Sequence, residues 1–261
     1  MLKLFNISKT FNPGTVTEKR AIKTVDLTLE DGDFVTIIGG NGAGKSTLLN
    51  LIAGVHFTDT GSIILDGMDL TGKPEYFRAK YLGRVFQDPM MGTAANMEIQ
   101  ENLAMAMRRG KKHGLSWHIQ PAEKALYREK LALLDLGLEN RMTAKAGLLS
   151  GGQRQALTLL MATLQKPRLL LLDEHTAALD PKTAKKVLEL TETFITRDKL
   201  TTFMVTHNMR DAIRYGNRLV MMMDGKVVYD VRGEEKKNLT VQDLLNKFGA
   251  SGEMNDKLVL G

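Results

Sequence analysis

Nine consecutive residues, Gly39-Gly40-Asn41-Gly42-Ala43-Gly44-Lys45-Ser46-Thr47, meet the spacing G-x-x-x-x-G-K-S/T. Residues this small let successive backbone amides curl around an anion. Lys45 supplies a cation with the reach for β- and γ-phosphates, and Ser46 a hydroxyl that can ligate magnesium. Such a loop binds a nucleotide without cleaving it, so a magnesium-holding acid and a group that places water are expected elsewhere. The apolar run 169–172 leads directly into Asp173 and Glu174. Open α/β sheets place their ligands at the C-terminal ends of strands, where Asp173 would hold hydrated magnesium and Glu174 would polarise the attacking water.

These groups need a framework of strands and helices. Ile37-Ile38 closes an apolar strand before the glycine-rich loop, and residues 46–53, helix-favouring in composition, follow it up to Gly54. Strands are predicted over 2–7, 21–29, 34–38, 62–65 and 82–86. Beyond Gln87 the pattern turns helical, over 98–109, 121–136 and 152–164. After Pro167 a buried-strand pattern returns at 168–172, then a helix over 181–195 and a strand over 202–205. Asp180-Pro181 is a helix start, an acceptor side chain before a proline that needs no internal amide bond. Residues 219–223 and 226–231 flank Asp224-Gly225 as a hairpin, 240–248 forms a short helix, and the tail is expected to be loose from Gly249. The α/β body thus comes from 1–87 and 166–230, with a helical insertion over 88–165 and a short extension over 231–261.

Composition narrows the classes. The 261 residues are 43% hydrophobic and 25% charged with only 6 prolines, which suits a packed globular chain. With no cysteine there is no disulfide, thiolate metal site or cysteine nucleophile. No window approaches the roughly 20 apolar residues of a membrane helix, and Lys3, Asn6 and Lys9 interrupt any leader-like pattern, so a cytoplasmic chain is expected. The net charge of +6 does not choose among nucleic acid, membrane surface and phosphorylated ligands. The basic run 108–113 reads as a solvated loop, and Met90, Met91, Met97, Met105 and Met107 as packing residues or an adaptable surface.

Leu149-Ser150-Gly151-Gly152-Gln153-Arg154-Gln155 carries the strongest resemblance: with the phosphate loop and Asp173-Glu174 it resembles the signature of the ATPase subunits of ATP-binding cassette (ABC) transporters. Gln87 matches that family's Q-loop glutamine, Ala178-Leu179-Asp180 its D-loop, and His207 its switch histidine. The resemblance covers residues 2 to about 230 and implies an α/β P-loop nucleoside triphosphate hydrolase with an antiparallel β subdomain and a helical insertion. It implies ATP and Mg2+ as ligands, with Ser46, Gln87 and Asp173 toward the metal and Lys45, Gln87, Glu174 and His207 in the reaction. ATP would lie on Gly39, Gly40, Asn41, Gly42, Ala43, Gly44, Lys45, Ser46 and Thr47 of one chain. Ser150, Gly151, Gly152, Gln153 and Asp180 would come from a second, while Phe11 stacks on adenine. Ser150 also reads physically as a helix cap that leaves the Gly151 and Gly152 amides at a positive helix end.

The departure from the family pattern is His175, where proline usually follows the glutamate. It removes no catalytic group, and no cysteine or nearby histidine completes a metal site around it. The expected partners are a second ATPase subunit, two membrane-spanning permease subunits and an extracytoplasmic solute-binding protein, with the chain on the cytoplasmic face of the membrane. Nucleic acid is not an expected partner. Residues 86–94 and 173–180 resemble importers of amino acids or other small organic solutes, tryptophan among them. The alternatives are a membrane-bound ABC ATPase with a task other than transport, a soluble relative acting on DNA or ribosomes, and an ATP-binding scaffold. DNA-repair relatives place long coiled coils in the head and ribosome-associated ones usually carry two cassettes, features this chain lacks; a scaffold would more readily lose Glu174 or His207.

Overall fold

The computed structural model describes residues 1–111 and 119–250. Lys112 and His113 of the basic run, and the expected loose tail beyond Ala250, lie outside the described residues. The elements begin with β1 (Leu2–Phe11), β2 (Lys19–Leu29), β3 (Phe34–Ile38), α1 (Lys45–Ala53), β4 (Thr60–Leu65), β5 (Met68–Asp69) and α2 (Glu75–Arg78). Then come β6 (Leu82–Val85), α3 (Ile99–Arg108), α4 (Pro121–Ala132), α5 (Gly151–Thr163), β7 (Leu169–Asp173) and α6 (Pro181–Asp198). The last are β8 (Thr202–Val205), α7 (Met209–Arg214), β9 (Arg218–Met223), β10 (Lys226–Arg232), α8 (Gly233–Lys237) and α9 (Val241–Ala250). The chain forms two compact units, 1–78 with 199–261, and 79–198.

In the first unit an antiparallel sheet runs in the order β2-β1-β4-β5. A second set of strands places β3 between β8 and β9, parallel to both, with β10 antiparallel outside β9. All five residues of β3 are buried, the signature of a strand covered on both faces. The hairpin between β9 and β10 turns at Asp224-Gly225, where both residues take positive φ, 45° and 74°, as a two-residue turn between twisted strands requires. In α9, Leu244 and Phe248 are buried in one cluster with Met209 and Ala212 of α7 and Leu219 and Met221 of β9, so α9 is packed onto the first unit.

The second unit holds the parallel pair β6 and β7 together with α3, α4, α5 and α6. The helix predicted over 121–136 ends at Ala132, because Asp135 and Gly137 take positive φ, 52° and 68°, and break it. The start of the basic run is not a solvated loop: Arg108 bonds Glu123 at 3.2 Å and Arg109 donates to the Ala162 carbonyl at 3.4 Å. The α3 helix extends to Arg108 and directs both side chains onto neighbouring helices. Among the methionines, Met90, Met91 and Met105 are exposed, whereas Met97 and Met107 are partly covered.

Candidate functional site

The glycine-rich loop joins β3 to α1, and its shape depends on absent side chains. A Cβ on Gly39 would lie 2.3 Å from the Met222 carbonyl oxygen, and one on Gly44 would lie 2.6 Å from that of Ala21. Gly44 also takes φ 100° as the residue that opens α1. Lys45 begins the helix, one residue earlier than the sequence predicted, and is 7% exposed. Its Nζ donates to the carbonyls of Gly39 and Gly40 at 2.8 and 3.1 Å, so the ammonium sits within the loop. Ser46, next along, is exposed.

The far end of α1 is closed by a device the sequence did not reveal. Fully buried Arg78 donates to the carbonyls of Leu51 and Ile52 at 2.8 and 2.9 Å, and to Lys73 and Thr71. These carbonyls lie in the last turn of the helix, where a cation is also favoured by the helix dipole. Burial lowers the Arg78 guanidinium to about 10, still charged at neutral pH.

His207 follows β8 as the phosphate loop follows β3, and the two strands are parallel with Ile37 opposite Val205. The register therefore brings the loop and the histidine to the same C-terminal edge. Asn208 caps α7 by accepting from the amides of Arg210 and Asp211 at 2.9 and 3.2 Å, which fixes the turn carrying His207. Burial raises the Asp211 carboxyl, with His207 and Arg214 acting in the opposite sense. Lys236 of α8, 2% exposed, donates to the carbonyls of Tyr215 and Gly216 at the end of α7.

Phe11 ends β1, opposite Lys19 of β2, with its ring edge-on to His56 at 5.2 Å between centroids. Lys19 brings its ammonium to 3.6 Å from where a Gly42 Cβ would be, so a second cation, not singled out in the sequence, adjoins the loop.

In the second unit β6 and β7 run parallel with Val85 opposite Leu172, which brings Gln87 and the pair Asp173-Glu174 to one C-terminal edge. Gln87 is exposed, and both carboxylates are partly exposed. Glu174 takes φ 44°, a left-handed conformation costing on the order of 1–3 kcal/mol for such a residue. Ser150 caps α5: its hydroxyl accepts from the Gln153 amide at 3.3 Å, and the Gln153 side chain accepts from the Ser150 amide at 3.2 Å. A reciprocal capping box orders the signature turn. A Cβ on Gly152 would lie 2.0 Å from Thr183 Cγ2 of α6, so the glycine permits close packing. Asp180 caps that same helix through the Thr183 amide at 3.1 Å, and its carboxyl is lowered first by the Thr183 side-chain hydroxyl and then by this amide.

Two links tie the signature helix to the segment around Gln87. Gln155, fully buried, donates to the Phe86 carbonyl at 3.0 Å, and Arg154 bonds Met90 Sδ and the Gly147 carbonyl. Sequence pattern alone gave no sign of them, because a glutamine in a helix names no distant partner.

His175 is buried with Nε2 3.1 Å from Thr191 Oγ1, and burial pushes its pKa down from the ordinary 6.5 to about 4. Between those values the unfolded chain takes up a proton that the folded chain refuses. Stability from this group is therefore full above pH 6.5, falls as pH drops toward 4, and changes no further below it. The loss is about 3 kcal/mol at most. Denaturant unfolding at pH 7 and pH 4.5 is expected to show a smaller acid loss for His175→Gln than for the native chain; equal losses would refute it.

Among the described residues no group of three or more His, Cys, Asp or Glu side chains could hold an ion unaided. Magnesium keeps several waters and binds through one or two carboxylates together with substrate phosphates. Hydroxyl and carboxylate oxygens, as on Ser46 and Asp173, are the hard donors it takes. A loop in which Gly39 and Gly44 leave no room for a side chain, with a buried lysine at a helix start, fits a nucleotide's phosphates.

Comparison with known proteins agrees. The ABC transporter family model matches residues 22–177. The chain is 46% identical over 249 residues to the tyrosine transport ATP-binding protein of Clostridioides difficile, spanning 95% of this chain and 98% of that one. It is 35% identical to the spermidine/putrescine import ATP-binding protein PotA of Escherichia coli K12, covering 96% of this chain and 64% of that protein. The solved dimeric ATP-binding cassette MJ0796, in a post-hydrolysis state with ADP and Pi, superposes with a TM-score of 0.75 at 29% identity over 89% of this chain and 98% of that one. The ADP form of the cassette MJ1267 gives 0.77 at 27% identity over 97% and 99%. A P-loop of this build, a capped signature helix and relatedness along nearly the whole chain lead to one conclusion: the chain belongs to the ABC transporter family, as an ATP-binding subunit with ATPase activity and homology to import-type systems.

Proposed function

We propose that two copies of this chain hydrolyse ATP to drive import of a small organic solute, an aromatic amino acid such as tyrosine or tryptophan, through two separate permease subunits. An extracytoplasmic solute-binding protein would deliver the cargo. The chain would sit at the cytoplasmic face of the membrane, held by the permeases; no helix among the described residues is long and apolar enough to cross a bilayer. The observation that carries the reading is the 46% identity to a tyrosine transport ATP-binding protein along 95% of the chain.

In this reading the amides from Gly39 to Thr47 cradle the phosphates, Lys45 reaches the β- and γ-groups, and Phe11 stacks on adenine. Ser46, Gln87 and Asp173 would hold magnesium, which neutralises charge on the β- and γ-oxygens when bound. Glu174 takes the proton of the attacking water while His207 donates to the γ-phosphate or that water. Ser150, Gly151, Gly152 and Gln153 of the second copy present a helix N-terminus to the same γ-phosphate, and Asp180 lies at the interface of the copies. Closure on ATP and loosening after hydrolysis would move the permeases, whose cytoplasmic segments would dock near Gln87.

Affinity purification of the tagged full chain from intact membranes, followed by identification of bound polypeptides and an uptake assay with labelled tyrosine and tryptophan, tests this. Two permease polypeptides and loss of uptake on deletion of the chain are expected. Co-purification with ribosomes or DNA-repair proteins, or unchanged uptake of both, would overturn it.

A further inference from the structure

The residue after Glu174 has a built environment of its own. His175 is 2% exposed, and its Nε2 lies 3.1 Å from Oγ1 of Thr191, well along α6. Thr191 Oγ1 also donates to the Val187 carbonyl at 2.8 Å. A hydroxyl has one proton, and here the carbonyl takes it. The oxygen then accepts from the imidazole, which makes Nε2 the protonated nitrogen.

This chain of bonds starts beside an unusual backbone. Glu174 is held at φ 44°, in a region that a residue with a long side chain occupies when its surroundings impose it. The Glu174 carbonyl accepts from the Ala177 amide at 2.9 Å and the Thr176 carbonyl from the Leu179 amide at 3.1 Å, two tight turns that end at the Asp180 cap of α6. The segment between β7 and α6 is thus anchored at its strand end, at its helix end, and at His175 by a bond to the body of α6.

We propose that His175 is a positioning residue for Glu174: its imidazole, tethered by Thr191, locks the left-handed turn and so fixes where the Glu174 carboxylate meets the attacking water. The inference rests on the reading of Glu174 as general base. General-base catalysis needs its acceptor within hydrogen-bond reach of the proton taken, and a displacement near 1 Å can cost about 100-fold in rate.

Thr191→Val removes the hydroxyl at nearly constant volume, Thr191→Ser keeps it, and His175→Gln changes the reach of the donor. In the full chain with MgATP, Thr191→Val is expected to lower kcat about tenfold or more, with ATP affinity within about twofold of the native chain. Thr191→Ser returns kcat to near the native value. Thr191→Val made in the His175→Gln background adds little further loss, since both break one link. A general packing defect would instead lower ATP affinity and kcat together. Native kcat in Thr191→Val and His175→Gln, additive losses in the double variant, or a parallel fall in affinity would overturn the proposal. Glu174→Gln is measured alongside. If it stops turnover while the Thr191 and His175 variants remain native, the tether alone is wrong; if it leaves turnover intact, the general-base reading fails and the tether with it.

Discussion

Glu174→Gln is expected to lower steady-state ATP turnover by about 10²–10⁴-fold, the range that a positioned general base supplies. ATP affinity should hold, because the proposed function assigns the phosphates to the loop around Lys45 and the start of α1, none of which the substitution touches. The amide keeps the shape and hydrogen-bonding capacity of the side chain but cannot accept the proton of water. On the proposed role it would also remove a negative charge facing the γ-phosphate, so a closed pair of subunits should accumulate with MgATP where the native chain would cycle open. Phosphate release, equilibrium ATP binding and light scattering measure the three parts. Turnover within tenfold of the native chain would remove Glu174 from the base's role and pass it to another acceptor.

Local features were legible from sequence because their causes are local. The loop from Gly39 to Thr47 needs small residues between an apolar strand and a helix, and all of these are neighbours in the chain. The Asp224-Gly225 hairpin, the Ser150 cap and the Asp180-Pro181 helix start were readable for the same reason. Strand ends were less so. The first strand continues past Ile7 through Ser8, Lys9 and Thr10 to Phe11, polar residues that read as loop; they pair with β2, Thr10 lying opposite Arg20. The six-residue α7 was missed as too short to show a helical period.

What escaped entirely depends on distant partners. Arg78 closing α1, Lys236 closing α7, Gln155 holding the Phe86 carbonyl and His175 tied to Thr191 are each a polar side chain buried against a group far along the chain. Composition marks such residues only as surface candidates, since arginine, lysine and glutamine are rarely buried without a partner. The catalytic candidates, by contrast, were visible by type and spacing. Sequence could not show the devices that hold them still: the left-handed backbone at Glu174, and the Asn208 cap that sets His207.

Lys45→Ala tests the other half of the reaction, the grip on phosphate. In the structure Nζ lies within the loop on the carbonyls of Gly39 and Gly40, where the proposed function places the phosphates. Charge-assisted hydrogen bonds are worth about 1.5–3 kcal/mol, and at about 1.4 kcal/mol per decade the loss corresponds to roughly 10–150-fold in ATP affinity. ADP should lose less if Nζ bridges the β- and γ-phosphates, and AMP least, so a series of the three nucleotides locates the contact. The folded chain is expected to survive, since a 7% exposed ammonium replaced by a methyl loses a desolvated charge together with its two bonds. Titration calorimetry beside thermal unfolding separates the effects. A graded loss from ATP to AMP at near-native stability assigns Lys45 to the terminal phosphates, whereas equal losses for all three would move its contact to the α-phosphate, and undiminished ATP affinity would remove the lysine from the binding machinery.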